Sequence, residues 1–409
     1  MRYASLTDRI RGAGADAWAV HDLAMRRVER GEDVIVLSIG ESDIDTPPAI
    51  VDAGVRALRG GRTRYMPQAG TDALRAAIAG HIGALSSIEI GPERVVFFPG
   101  AQTALYAVCQ CILDAGDEVI VPEPSYVTYD AVFGSTGAKV VNVPLPPERG
   151  FHLDPADVER AITPGTRAVL LTSPHNPTGA VMTREELVAV GEICRRHDLW
   201  LVCDEVYAEL TFEVEHAGVL SLPGLTDRVV SVSSLSKSHS MTGWRAGWAI
   251  GPVELAEHLY YLSMCMLYGS PGFIQDAAEF ALRTRLDEVG ALYELYRRRA
   301  AAIIDEFSQL GSLRPRMPEG GMFLMLDIRS TGLSGDAFAR LLLEQEDVSV
   351  LPGEGFGPSA AGHVRICVTT DEARLREACR RIARCADRLV TSSTETGGRA
   401  HATRNTIRS

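Results

Sequence analysis

The sequence predicts an α/β protein, in which a large unit with a mostly parallel sheet between helices is joined to a smaller α/β unit. Three observations predict it. From Arg94 onward, short apolar runs alternate regularly with helical patterns, the signature of strand–helix–strand repeats. Several of these runs deliver a polar group at the C-terminal end, where open α/β sheets bind ligands. Near 310–320 a Gly- and Pro-rich stretch breaks the pattern, and a second, shorter series of strands and helices follows. A chain of 409 residues, 46% apolar, is long enough for both units. The expected division is 1–47 for an N-terminal arm and the start of the small domain, 48–310 for the large domain and 311–390 for the C-terminal small domain. Residues 391–409, rich in Ser, Thr and Gly, are expected to be a disordered tail.

Taken in order, the chain opens with a polar arm and a helix expected from about Asp16 to Arg30, carrying Trp18. VIVLSIG at 34–40 reads as a strand ending in Gly40, where a missing side chain lets a ligand approach the backbone. A helix over about 48–58 leads to the loop 60–70, which holds Tyr65, and another helix spans about 71–84. VVFFPG runs into AQTALYAVCQCIL, a strand, a Gly-bearing turn and a helix whose first N–H groups, around Ala101, Gln102 and Thr103, form an anion site. A strand at 118–121, a loop with Tyr126, a helix over 127–136 and a strand at 139–143 follow. RAVLLTSPHNPTG at 167–179 is a strand entering a loop with Asn176, and after a helix at 183–197 the strand from Leu199 ends at Asp204. VVSVSSLSKSHSMTGWRAGWAIG at 229–251 brings a buried strand up to a Ser-rich turn containing Lys237. A helix near Val253 and a helical region over about 273–307 come next, in which Arg297, Arg298 and Arg299 read as a solvated face. The small unit then shows strands at 321–328, 348–351 and 363–369, with helices at 334–345 and 371–390. The last helix places Leu375, Cys379, Ile382, Ala386 and Leu389 on one face, a core stripe.

A formal net charge of −12 and a pI near 5.4 argue against general nucleic-acid affinity. The eight cysteines make no paired metal-ligand pattern and sit mostly in apolar runs, so free thiols are expected and no metal site is. The opening MRYASLTDRIRGAG lacks an apolar signal core, and no run reaches 18 apolar residues. A cytoplasmic protein with no membrane partner is the resulting expectation.

A lysine on a loop is ordinarily solvated. Lys237 reads differently because its neighbours supply what a carbonyl-reactive lysine needs beside a pyridoxal phosphate cofactor. Asp204, closing an apolar strand, suits the protonated ring nitrogen; Tyr207 and Asn176 suit the ring oxygen. The turn at 100–103 with Ser234, Ser236 and Arg245 supplies donors for a phosphate. Together SPHNPTG, DEVY and SLSKSHSMTGWRAG, in that order along the chain, resemble the asparagine loop, aspartate–tyrosine pair and lysine signature of the fold-type I, class I/II aminotransferases, whose likeness covers about residues 15–390.

That resemblance implies the aspartate-aminotransferase-like fold and a homodimer with composite active sites. It implies that Lys237 bonds the cofactor and moves protons, Tyr126 stacks on the ring, and Tyr65 reaches the partner's phosphate. Arg365 matches the arginine that clamps the substrate carboxylate, and Gly40 the glycine beside it. That family usually has proline after Glu41, so Ser42 is expected to loosen the mouth of the pocket. Gln102 stands where members that handle acidic substrates carry lysine, which argues against a dedicated aspartate enzyme.

GAQTALYAV, KSHSMTGWRAGW and FGPSAAGHVRICV look particularly like the branch that transaminates arginine with pyruvate. A guanidinium needs an acidic or aromatic partner, for which Glu41, Asp16, Trp18 and Tyr65 are candidates. Two other readings share the same scaffold. One is a biosynthetic aminotransferase for a cyclic guanidino, enduracididine-like 2-oxo acid; the other is elimination, decarboxylation, racemisation or oxidation of arginine. A DNA-binding effector domain is disfavoured, since the first 30 residues are too few for a DNA-binding module.

Overall fold

In the computed structural model, residues 1–11, 18–311 and 313–402 are described, with 391–402 as backbone only. The strands are β1 (Ile35–Val36), β2 (Val95–Phe98), β3 (Glu118–Glu123), β4 (Lys139–Pro144), β5 (Thr166–Thr172) and β6 (Trp200–Asp204). They continue as β7 (Val229–Ser234), β8 (Gly247–Ile250), β9 (Phe323–Asp327), β10 (Val348–Ser349), β11 (Leu351–Pro352) and β12 (His363–Cys367).

The large sheet has seven strands in the order β2-β8-β7-β6-β5-β3-β4. Only β8 runs against its neighbours, pairing antiparallel with both β2 and β7. The reason lies in the connections. The parallel strands are joined by crossovers, through α-helices except for the long connection 205–228 between β6 and β7, whereas β7 and β8 are joined by the loop 235–246, too short to carry the chain back to the other edge. Every strand of this sheet except β8 therefore points its C-terminal end to one edge, and the lysine loop lies on that edge.

Successive residues feed opposite cores. Val169, Leu171, Leu201 and Val229 pack on one face, while Ala168, Leu170, Val202 and Val230 pack on the other. Burial on both faces explains the unbroken apolar runs of these strands.

The small unit is built on β11-β12-β9, antiparallel, with β12 central. A separate two-stranded parallel pair, Ile35–Val36 with Val348–Ser349, joins the two ends of the chain. Several expectations need correction here. The strand expected over 34–40 is assigned only at Ile35–Val36, because beyond it the segment becomes a strap bonded piecewise to both units. The strand expected over 348–351 divides, its halves pairing with β1 and β12.

The helix Asp287–Gln309 was expected in the large domain, yet its buried Leu292, Tyr296, Ala300, Ile303 and Phe307 join the small core. Arg299 is not on a solvated face. It is 4% exposed and clasps Asp43 with Nη1 at 2.7 Å and Nη2 at 2.6 Å, since it shares the buried side of the helix with Tyr296 and Ile303. The helix Pro155–Ala161 escaped the sequence reading, although Asp154 capping Ala156 N–H and Pro155 in the first turn signal it.

The helix expected from Asp16 spans Ala19–Glu29, and Asp16 itself lies outside the described residues. The closing helix is continuous from Glu372 to Ala402, into the stretch expected to be a disordered tail; no proline interrupts its backbone, and glycine comes only at 397 and 398. Residues 403–409 lie outside the described residues. Among the described residues no helix is long and apolar enough to cross a membrane.

One ionic bolt joins the two units. His152 lies between Glu186, on the large-unit helix Arg184–Arg196, and Glu319, on the connection into β9, at 3.1 Å from each. Hydrogen bonds to Glu186 and Glu319 raise its pKa to about 10. The raised value makes its contribution complete below about 6.5 and lost as pH rises through about 10. His152→Gln is expected to cost about 1–2 kcal/mol at pH 6. Urea unfolding of both proteins at pH 6 and again above pH 10 checks this, the two curves converging at the higher pH.

Candidate active site

The strand ends described above surround a cavity of about 310 Å³. Lys237, three residues past the end of β7, lies in it, and its Nζ donates to the Gly40 carbonyl at 2.7 Å. Burial lowers the pKa of its ammonium to about 8, with Arg365 and Arg245 acting in the same direction and Cys367 and Glu41 against it. A lysine so placed gives up its proton more readily than a surface lysine.

Asp204 closes β6 directly opposite Thr172, the last residue of β5. Its Oδ2 accepts from the Tyr129 hydroxyl at 2.8 Å and its Oδ1 from the Val206 N–H at 3.2 Å. Burial pushes this carboxyl up to about 6 despite those donors. A cation placed beside it would favour the carboxylate form. Tyr207 is buried against the Phe323 ring, its centroid 5.5 Å away.

Arg365, central in β12 and 2% exposed, spans the two units. Its Nη1 donates to Asn176 Oδ1 at 2.9 Å and its Nη2 to the Ser38 carbonyl at 2.8 Å. The Phe323 ring lies 4.3 Å from the guanidinium carbon and the Phe356 ring 5.0 Å. Its buried Nε has no partner among the described residues. A guanidinium this dry, with donor capacity left over, suits an anionic ligand.

At another wall the helix Ala101–Ile112 begins without a side-chain cap. Its first N–H groups, at Ala101 and Gln102, have no carbonyl within the helix to bond. Gly100 precedes it at φ 88, where a Cβ would come within 2.3 Å of Arg245 Nη2. Only glycine lets that guanidinium sit against the helix start. Ser234 and Ser236 line the same cavity.

Of the residues expected at the site, Trp18, Gly40, Glu41, Tyr126 and Asn176 also line this cavity. Thr103 does not. Its hydroxyl turns back to the Pro99 carbonyl at 3.0 Å, capping its own helix turn. Tyr65 is outside as well, 85% exposed, with its ring edge-on to Tyr268 at 5.0 Å.

The sequence reading missed Tyr129, Thr172, Thr242 and Phe323, all of which line the cavity. Tyr129 stands three residues after Tyr126, and their rings meet at 5.6 Å; that spacing at the mouth of a helix was the available signal. Ser42 does not loosen the mouth. Its Oγ accepts from the Ile44 N–H and is hydrogen-bonded to the hydroxyls of Tyr296 and Ser240, bonds that a proline could not make.

The donor set fits pyridoxal phosphate. Asp204 answers a protonated ring nitrogen, and Tyr207 and the Asn176 amide a ring oxygen. The helix start with Ser234, Ser236 and Arg245 answers a phosphate, and Lys237 an aldehyde.

Known proteins agree with this chemistry. The family described as Aminotransferase class I and II matches residues 32–382. The arginine–pyruvate transaminase AruH of Pseudomonas aeruginosa is 53% identical over 390 residues, covering 95% of this chain and 99% of that protein. The aspartate aminotransferase of Thermus thermophilus, solved with maleate, superposes with a TM-score of 0.88 at 35% identity, covering 94% of this chain and all of that one. The aromatic aminotransferase of Pyrococcus horikoshii superposes at 0.85 with 34% identity, covering 90% and 100%.

Proposed function

The chain belongs to the class I and II aminotransferases, and from that premise we propose that it moves the α-amino group of L-arginine, or another guanidino amino acid, to pyruvate or a similar 2-oxo acid. It is a pyridoxal-phosphate-dependent transaminase. The observation that carries the reading is the convergence on one cavity of Lys237 from the loop after β7, Asp204 from the end of β6 and Arg365 from β12.

Pyridoxal phosphate, when bound, supplies an aldehyde that bonds the substrate amine and a ring that takes up the electron pair left as the Cα–H bond breaks. Arg365 binds the substrate carboxylate in a fork, and the Phe323 and Phe356 rings keep water from it. Lys237 Nζ would take the Cα proton and deliver it to the former aldehyde carbon of the cofactor, across the transferred nitrogen, a transfer favoured by a pKa near its working range. Asp204 holds the ring-nitrogen proton in place, and Tyr129 holds Asp204. The same groups run in reverse when the 2-oxo acid arrives, so the two substrates take turns in one site.

Arginine is supported by the relationship to AruH and by Glu41. Its carboxylate lines the cavity and accepts from Thr242 Oγ1 at 2.7 Å, which leaves lone pairs for a guanidinium. Trp18 adds an aromatic wall, and Gln102 puts no cation there. The protein works as a homodimer with composite sites, in which the exposed Tyr65 reaches the partner's phosphate, and it resides in the cytoplasm.

The test is a single-turnover spectral assay of the cofactor-loaded protein with arginine, citrulline, aspartate and alanine. Arginine is expected to convert the cofactor to its amine form at least about tenfold faster than citrulline, its neutral isostere, with pyruvate restoring the starting spectrum. Preference for aspartate, or consumption of arginine with no amine form, would overturn the reading.

A further inference from the structure

Resting on the aminotransferase reading above, we propose that Ser42 is a positioning residue for Lys237: with Tyr296 and Ser240 it ties a small-unit helix to the lysine loop and so sets the Gly40 carbonyl against Lys237 Nζ.

The strap 37–46 carries the connection. Its first half is fastened to the small unit, where Leu37 N–H donates to the Ser349 carbonyl at 2.8 Å, Cys367 N–H to the Leu37 carbonyl at 2.9 Å and Thr369 Oγ1 to the Ile39 carbonyl at 3.0 Å. Its second half is fastened to the lysine loop. Thr46 Oγ1 donates to the Ser240 carbonyl at 2.6 Å and in turn accepts from Trp244 Nε1 at 3.0 Å.

Ser42 is where the two fastenings meet. Its Oγ accepts from the Ile44 N–H at 3.1 Å and is hydrogen-bonded to the hydroxyls of Tyr296 at 2.8 Å and Ser240 at 3.2 Å, its own proton going to one of them. Tyr296 is fully buried, three residues before Arg299, which clasps the adjacent Asp43. One helix therefore grips two successive strap residues. Ser240 has φ 51, a left-handed conformation costly for serine and sustained by its surroundings.

Two residues upstream, the strap is pressed from behind. A Cβ on Gly40 would lie 2.5 Å from the Phe323 ring, so the Gly40 Cα packs against that ring while its carbonyl accepts from Lys237 Nζ. A carbonyl oxygen facing Nζ favours the ammonium and opposes the effect of burial. The other charged or titratable groups acting on Lys237 are Glu41 on the strap, Cys367 and Arg365 on β12, Arg245 on the lysine loop and Asp204 on β6. Loss of the Ser42 hydroxyl removes the register of the carbonyl and leaves Cys367, Arg365, Arg245 and Asp204, which lie off the strap, in place.

The test uses the cofactor-free full chain, with pyridoxal phosphate as probe and borohydride trapping on Lys237 as readout across pH. Ser42→Ala and Tyr296→Phe are each expected to lower the capture midpoint by about half a pH unit. Each is expected to lower kcat about three- to tenfold, with the KM for arginine and the cofactor content unchanged. The double variant is expected to be no worse than either single one, because the two residues form one relay. Ser42→Thr, which keeps the hydroxyl, is expected to hold the wild-type midpoint, and it stands in if the alanine variant does not fold. An unchanged midpoint and kcat in the alanine and phenylalanine variants, or additive effects, would overturn the proposal. Capture requires no turnover, so an inactive wild type would count against the aminotransferase reading while leaving this measurement intact.

Discussion

Lys237→Ala is expected to keep the fold and lose turnover by at least about 10⁴-fold, because one amine both bonds the cofactor and moves the proton. Among the described residues the side chain makes a single hydrogen bond, to the Gly40 carbonyl, so its removal costs little structure. Donor binding should persist, since Arg365 keeps its contacts to Asn176 and Ser38 without the lysine. The measurement is kcat with arginine and pyruvate beside near-ultraviolet circular dichroism. Turnover within tenfold of wild type would remove Lys237 from the chemistry.

Asp204→Asn is expected to retain part of the cofactor and lower the half-reaction rate about 10³-fold, since an amide cannot balance the charge of a protonated ring nitrogen. A pH signature accompanies it. In the cofactor-free protein burial holds the Asp204 carboxyl near 6, so cofactor affinity should fall as pH drops below that value and the carboxyl becomes neutral. The asparagine variant should lack this acid limb. Cofactor titrations between pH 5 and 8, with stopped-flow half-reactions, would show both effects, and a half-reaction near the wild-type rate would refute the assignment.

Much of this site was legible because its residues stand at abrupt changes of pattern. Asp204, Asn176 and Lys237 each follow an apolar run that has to be a buried strand, so the first polar groups beyond it point to the sheet edge. Tyr129 gave no such signal. It lies within the first turn of the helix after β3, and only the pairing of β3 with β5 and of β5 with β6 brings it to Asp204. Arg299 was misjudged for a related reason: three consecutive arginines carry no period of their own, and the inward one is identified only by its register with Tyr296 and Ile303. The position of the helix Asp287–Gln309 was likewise hidden. A Gly- and Pro-rich stretch marks a turn in the chain, but which core a helix joins is decided by a partner surface distant in sequence. Ser42 shows the same limit, since a missing proline reads as slackness until the side chains that reach its hydroxyl are seen.

The pairing of Ile35–Val36 with Val348–Ser349 bears on the order in which the protein can be made. The small core contains Val20, Ala24 and Leu37 from one end of the chain and Leu375, Ile382 and Ala386 from the other. During synthesis the large sheet has all its strands once Ile250 has emerged, while the helix Ala19–Glu29 lacks the helix Gly335–Glu346 and β10, against which it packs, until they leave the ribosome. The early segment therefore spends nearly the whole of translation waiting for its partner, and ribosome-stalled chains ending near residue 290 should be cut by protease within 18–37 while the large sheet resists.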